Sequence, residues 1–461
     1  MSESEAIGEH WCIVGGGVLG LVLAKRLVEA GERVTVLEAT PEIGGLASAW
    51  NLGDFTWDRH YHVTLLSDQS TRDLLRELEL EDQMRWVETK TGFFADGKLV
   101  SLSNNWEFLR FPLLSLWEKF RLGVTIFAAS KIRDWQSLES IPVADWLRKW
   151  SGIGTFRKIW QPLLRAKLGA TYEKVSAVFI AATIARMYRA RQSGLKKEMF
   201  GYLPGGYARV FKAFAARLVD HGVQIECNRA VKQIIVEGGQ TVGVEFADGN
   251  RREFDHVVLT IPSPVIADLC RSLSDSEKTQ HREIEYLVIL CASVVLKRPL
   301  SPYYVTNITE SWVPFTAVIE MTALVDPAEL AGHHLVYLPR YVDANDPSWQ
   351  WTDDQLRETF VSALERMVPD FSRSDVEFFK VSRVKRVMAL PTLGYSERLP
   401  SMTTSLPGVY AVNSAQIVYG TLNVNEVIDV AERAYSEILL PAIRSRTETS
   451  AALPIPEVLH V

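Results

Sequence analysis

The chain of 461 residues is 47% hydrophobic and 23% charged, with a formal net charge of -6. Such a composition belongs to an ordinary globular protein, excludes disordered and fibrous classes, and is too long for one hydrophobic core, so two or three folding units are expected. The negative balance gives no bulk attraction to nucleic acid or to an anionic membrane, and a small-molecule substrate is the expected partner.

The first ten residues, MSESEAIGEH, are polar and acidic and lack the basic start and apolar core of a signal peptide. No apolar stretch reaches the roughly 18 residues needed to span a bilayer. A cytoplasmic location is expected, with membrane contact left open for one segment below. Cys12, Cys227, Cys270 and Cys291 lie far apart, without zinc-ligand spacing, and read as reduced thiols.

Residues 11–14 form a short apolar run, as in a buried parallel strand. Helical periodicity follows over 18–29, Gly31 ends that helix, and 34–38 (VTVLE) is a second strand. Between the first strand and the helix stands Gly15-x-Gly17-x-x-Gly20. In a βαβ unit the first glycine permits the tight turn, the second lets a pyrophosphate approach the helix N-terminus, and the third lets helix and strand pack closely. Glu38 ends the second strand, where a carboxylate accepts hydrogen bonds from a ribose and repels a 2′-phosphate, which argues against NADP. The expected cofactor contacts are Val14, Gly15, Gly17, Val18, Leu19 and Gly20 around the turn, with Glu38 and Ala39 at the strand end.

A second glycine pair follows in ATPEIGGLASAW. With Glu38 and Gly44–Gly45 at this spacing, the sequence resembles the flavin-dependent amine oxidase superfamily, which includes amine oxidases, protoporphyrinogen oxidases, carotenoid desaturases and, more distantly, UDP-galactopyranose mutases. The resemblance implies that FAD occupies the unit and that Gly44, Gly45, Leu46 and Ala47 also touch it. Members often carry Arg after the glycine pair; Leu46 here leaves that contact to backbone groups.

Next comes FTWDRHYHVTLL. Its Asp58-Arg59-His60-Tyr61-His62 resembles an Asp-x-Gly-x-His stretch that passes beside the flavin ring in related enzymes, with His60 in place of Gly. His62 matches the family's histidine and is a catalytic candidate, able to hydrogen-bond flavin N5 or relay a proton. A structural histidine pair is the competing reading, and a metal reading lacks a further ligand.

Two stretches, 71–196 and 285–389, lack these signatures, are rich in Trp, Phe and Leu at helical spacing, and are expected to form the substrate domain. Within the first, IWQPLLRAKLG sets Arg165 and Lys167 in apolar surroundings, facing either a substrate or solvent. Residues 108–135 are aromatic-rich and amphipathic with flanking Arg and Lys; core, tunnel mouth and membrane contact all stay open.

FGYLPGGYARVFKAF and the strand after it continue the resemblance, which places Val231 at the adenine. The segment 238–262 reads as a β-meander. Arg383, Lys385 and Arg386 precede Tyr395 where the family often lines its substrate cavity, so Tyr395 is the second catalytic candidate; a charged strand edge is the alternative. Finally, a strand at 409–412 leads to a helix beginning near Asn423. The resemblance implies that this helix points its N-terminus at the flavin pyrimidine through the amides of Asn423 and Val424, and that Asn413 replaces the usual acidic residue. This loop contains no Cys or His, so the FAD is expected to be non-covalent.

The expected fold class is α/β: a Rossmann-like FAD-binding domain (1–70, 197–284, 390–445) interleaved with an α+β substrate domain (71–196, 285–389), and a disordered tail (446–461). The expected activity is an FAD-dependent oxidoreductase taking hydride from a small or lipophilic molecule. The alternatives are a non-redox flavoenzyme acting on a nucleotide sugar and a flavin-bearing scaffold. The sequence does not indicate the oligomeric state.

Overall fold

The computed structural model describes residues 8–192 and 199–451. A five-stranded parallel sheet runs in the order Gln224–Glu226, Arg33–Leu37 (β2), His10–Val14 (β1), His256–Leu259, Val409–Ala411. These strands are buried on both faces, so they read as apolar runs without alternation. Side chains nonetheless alternate in space. Trp11 and Ile13 face the helix Val18–Glu29 (α1) and the helices Gly206–Asp220 and Val424–Ala434. Cys12 and Val14 face a three-stranded meander through Ile234, Val244 and Phe246. The sheet gathers strands from three separated parts of the chain, which aligns the loops at the strand ends into one crevice.

The region 285–389 contains more strand than helix, contrary to the helical spacing expected of it. With Thr91–Ala95 and Lys98–Ser101 it builds a seven-stranded mixed sheet, whose longest strands are Tyr286–Leu296, His334–Val342 and the edge strand Val376–Ala389. The run LVILCASVVL is covered on both sides, so its apolar residues carry no period to distinguish strand from helix. One face, with Ile289, Cys291 and Tyr337, packs against the helical insertion through Trp146, Leu147 and Phe156. The other, with Leu290, Ala292 and Val294, is covered by the helix Asp353–Met367.

The tail also departs from expectation. The chain remains helical from Leu440 to Ala451. Arg446 explains why: it bonds Glu9 and the buried Glu32, which lie just before the starts of β1 and β2. Residues 452–461 lie outside the described residues.

Candidate flavin site and active site

The turn from β1 into α1 is shaped by its glycines. Gly15 has φ +115 and donates its amide to Leu37 O at 2.9 Å. A Cβ on Gly20 would lie 2.1 Å from Gly15 O, so only glycine lets α1 start this close to the turn. Gly17 differs: its φ of -75 suits any residue, and an added Cβ would meet nothing within 4 Å. Gly17 is the N-cap of α1 and no side chain caps the helix. The first-turn amides of Val18, Leu19 and Gly20 therefore have no intrahelical or side-chain cap acceptor and lie at the positive end of the helix, a cradle for an anion.

Glu38 closes the cradle on the other side. Its Oε2 accepts from Gly16 N at 2.8 Å, and its Oε1 accepts from Thr40 N and Thr40 Oγ1, both at 2.8 Å. The carboxylate is thereby fixed in orientation and keeps acceptor capacity for a ribose. Glu38 N donates to Glu226 O and Arg229 N to Glu38 O, each at 2.8 Å, which brings Val231, the first residue of the next strand, close to Glu38 and Ala39. Gly44 N donates to Gly16 O at 2.8 Å and tethers Gly44, Gly45, Leu46 and Ala47 to the turn. A Cβ on Gly44 would lie 2.7 Å from the Phe211 ring.

Leu46 links this loop to the histidine segment, since its carbonyl meets His60 Nδ1 at 3.0 Å. Asp58 anchors that segment. Its Oδ1 accepts from Tyr207 N at 2.8 Å and its carbonyl from Tyr337 Oη at 2.5 Å. Gly206 must be glycine here, because a Cβ would stand 2.8 Å from the same Oδ1 at φ +63. Burial pushes the Asp58 carboxyl up to about 7. His62 Nδ1 lies 3.8 Å from Asp58 Oδ2, too far for a hydrogen bond, and its ring meets Tyr207 edge-on at 5.2 Å. Both border a cavity of ≈ 20 Å³, room for one water, together with Thr64. Burial, reinforced by the neighbouring histidine, lowers His62 to about 3, and burial lowers His60 to about 4. The His62 ring is neutral near pH 7, because its surroundings cannot solvate a cation, which suits the hydrogen-bonding alternative better than a charged relay.

Tyr61, between the two histidines, turns the other way and meets Tyr341 Oη at 3.2 Å. Lys167 Nζ lies 3.3 Å from the centre of the Tyr341 ring. Burial lowers this ammonium to about 7, with the Cys291 thiol a lesser and opposing influence. The sequence marks Lys167 as unusual, but nothing in it connects that residue to Tyr61 and Tyr341, which lie more than 100 positions away on either side.

Orphaned polar atoms gather at this place. Of the fourteen buried side-chain nitrogen and oxygen atoms without a hydrogen-bond partner among the described residues, five belong to Trp50, Trp57, Arg59, His60 and His62. Native interiors rarely leave such groups unpaired, so their concentration beside the open α1 terminus fits a polar ligand in this crevice.

Several expected site residues serve the protein itself. Tyr395 donates its hydroxyl to Ala415 O at 2.9 Å within a small apolar cluster with Ile284, and the structure does not bring it to His62. Its catalytic assignment is withdrawn: the proton is committed to a buried carbonyl. Asn413 spends its side chain on Ala415 N and Ser263 Oγ, as the cap of a short turn. Asn423 caps the helix Val424–Ala434 through Glu426 N, leaving Val424 as a free first-turn amide. Arg383 is bound to Asp353 and Trp351 O, and Lys385 covers Trp349. They belong to the far side of the sheet rather than to a cavity.

An uncapped helix start beside a ribose-ready carboxylate, at the strand ends of a parallel sheet, defines a dinucleotide-binding fold. The Flavin containing amine oxidoreductase family matches residues 20–434, and the chain belongs to that family. The family is one of flavin-containing oxidoreductases. A probable zeta-carotene desaturase of Synechococcus elongatus is 24% identical over 273 residues, 52% of this chain and 55% of that protein. The matched stretch thus spans about half of that relative. Hydroxysqualene dehydroxylase of Zymomonas mobilis is 23% identical over 392 residues, covering 77% of this chain and 87% of that one. Among solved structures, an oxidoreductase from Methanosarcina mazei superposes with a TM-score of 0.73 at 19% identity, covering 93% of this chain and all of the other (100%). No helix among the described residues is long and apolar enough to cross a membrane.

Proposed function

We propose that the enzyme removes a hydride from a C–H bond of a lipophilic organic molecule and passes the electrons to oxygen or another acceptor. When bound, FAD supplies the two-electron acceptor for that hydride. The observation that carries this reading is the apolar environment of the histidine segment, where Tyr61 and Val63 pack against the cluster formed by Ile289, Cys291, Tyr337 and the helical insertion. A substrate that reaches this segment meets mostly apolar neighbours rather than charged ones. Two relatives are named for a carotene and for hydroxysqualene, both lipophilic, which supports the same class.

The chain's own residues have separable parts. The amides of Val18, Leu19 and Gly20, with Glu38, Val231 and the Gly44–Ala47 loop, would hold the adenine dinucleotide. The first-turn amide of Val424 would be available to the flavin end of the cofactor. Asp58 fixes the His60–His62 segment, and His62 presents a neutral ring rather than a charge. Lys167, poised near neutrality, holds or takes a proton beside the Tyr61–Tyr341 pair. A diphosphate substrate calls for paired guanidinium groups, whereas the cation turned to this tyrosine pair is a single ammonium.

Anaerobic mixing of the flavoprotein with polyenes, isoprenoid alcohols, porphyrinogens, amines and nucleotide sugars tests the reading. Bleaching of the flavin band near 450 nm is expected with a lipophilic candidate. Turnover of a nucleotide sugar by pre-reduced enzyme, without net oxidation, would replace this reading with the mutase-type one.

A further inference from the structure

The helix Leu116–Ser130 packs one face into the protein and turns the other to solvent. Leu116, Trp117, Phe120 and Phe127 are 74%, 66%, 61% and 57% exposed. Their spacing is helical, so they form one stripe. Two neighbouring helices extend it. Asn105–Arg110 adds Trp106 and Leu109, joined to the stripe where Lys119 Nζ bonds Leu109 O at 2.6 Å. Val143–Thr155 adds Trp150 and Ile153, joined where Arg121 Nε bonds Trp150 O at 3.1 Å. Scattered exposed hydrophobics are ordinary, but a contiguous aromatic patch on three adjoining helices marks an interaction surface.

Charge identifies the occupant. The segment 105–165 carries ten Lys or Arg and five Asp or Glu, a balance of +5 in a chain whose total is -6. Exposed Arg110, Arg133, Lys149 and Arg157 form no ion pair among the described residues, and the Lys131 ammonium covers the Phe127 ring at the edge of the stripe. Basic residues beside exposed tryptophans suit the boundary between phospholipid headgroups and acyl chains. A second copy suits it poorly, since an isologous pairing would set +5 against +5.

We propose that this three-helix face docks on an anionic phospholipid bilayer, with the aromatic stripe in the headgroup–acyl boundary and the flanking cations on lipid phosphates. The proposal goes beyond the substrate reading and does not depend on it.

Flotation of the holoprotein with phosphatidylcholine:phosphatidylglycerol vesicles (about 7:3) and with pure phosphatidylcholine vesicles tests it, in low and high salt. Binding to the anionic vesicles is expected, weaker without phosphatidylglycerol and weaker in salt. The triple change Trp117→Ser, Phe120→Ser, Phe127→Ser should lower vesicle affinity about tenfold or more. Flavin content and melting temperature should not change, because the three side chains are exposed. Arg133→Glu with Lys149→Glu, which leaves the apolar stripe intact, should cost about fivefold per site on anionic vesicles only. Three results would each overturn the proposal: wild-type protein that stays unbound at low salt, a folded triple variant that floats as well as wild type, or a triple variant that merely turns a solution dimer into a monomer.

Discussion

The second and third glycines of the opening motif, Gly17 and Gly20, make opposite demands, and replacing each with alanine separates cofactor binding from folding. At Gly17 the backbone is already in a conformation open to any residue, and the new Cβ touches nothing within 4 Å. The apoprotein should therefore fold normally, with a gain of up to about 1 kcal/mol from the stiffer unfolded chain. That empty space is where a pyrophosphate would approach the amides of Val18 and Leu19. A methyl group there pushes the anion off one or two charge-assisted hydrogen bonds, each worth about 1.5–3 kcal/mol. The FAD dissociation constant should rise about 100-fold, equivalent to about 2.7 kcal/mol. At Gly20 the Cβ would lie 2.1 Å from Gly15 O and 3.1 Å from Ile13 Cγ2. Backbone must yield by roughly 1 Å, an overpacking cost of about 1–3 kcal/mol that falls on the apoprotein. The assay is a denaturant melt of each apoprotein and an FAD titration followed by flavin fluorescence. Gly17→Ala protein that binds FAD as tightly as wild type would refute the placement of the pyrophosphate. Gly20→Ala apoprotein of undiminished stability would refute the packing argument.

Other expectations follow from the same geometry. Glu38→Ala should weaken FAD binding by at least about tenfold and also destabilise the apoprotein, because Gly16 N and Thr40 N lose their acceptor; equilibrium titration and melting read the two effects separately. Lys167→Met should keep its flavin but lose any limb of the pH–rate profile centred near 7, the value burial gives this amine; a limb that survives would assign it to Asp58, which burial raises to about 7. Tyr395→Phe should cost about 1–3 kcal/mol in stability, leaving Ala415 O without its donor, while turnover changes less than about twofold. His60 and His62 have folded pKa values of about 4 and about 3, below the ordinary 6.5. The unfolded chain binds the extra protons, so the stability they contribute is full above pH 6.5 and is lost as pH falls toward 4. His60→Gln and His62→Gln should flatten that acid slope in denaturant melts taken from pH 7.5 to 4.5.

The cofactor cradle was legible in the sequence because each of its parts is local. Gly15, Gly17, Gly20, Glu38 and Gly44–Gly45 lie within about thirty residues, and their spacing encodes a turn, a helix start and a strand end. What lay hidden depends on contacts between distant positions. Tyr395 and Asn413 have residue types that suit chemistry, yet Ala415 takes the hydrogen bonds of both, and only the fold brings it to Tyr395. Lys167 looked like a basic residue in apolar company. Its chemical interest comes from Tyr341 and Tyr61, which a different domain layer and the histidine segment supply. The seven-stranded sheet escaped the periodicity of 285–389 because burial on both faces erases alternation, and because two of its strands come from 91–101. The tail was misread since Arg446 finds its acidic partners more than four hundred residues away.

The central claim is that an adenine dinucleotide is held by its ADP half, with phosphates at the start of α1 and a ribose on Glu38. Calorimetric titration of the apoprotein with FAD, FMN and ADP addresses this most directly. One FAD per chain, competition by ADP, and FMN bound at least about 100-fold more weakly are the predicted results. FMN binding as tight as FAD, with no competition from ADP, would contradict it.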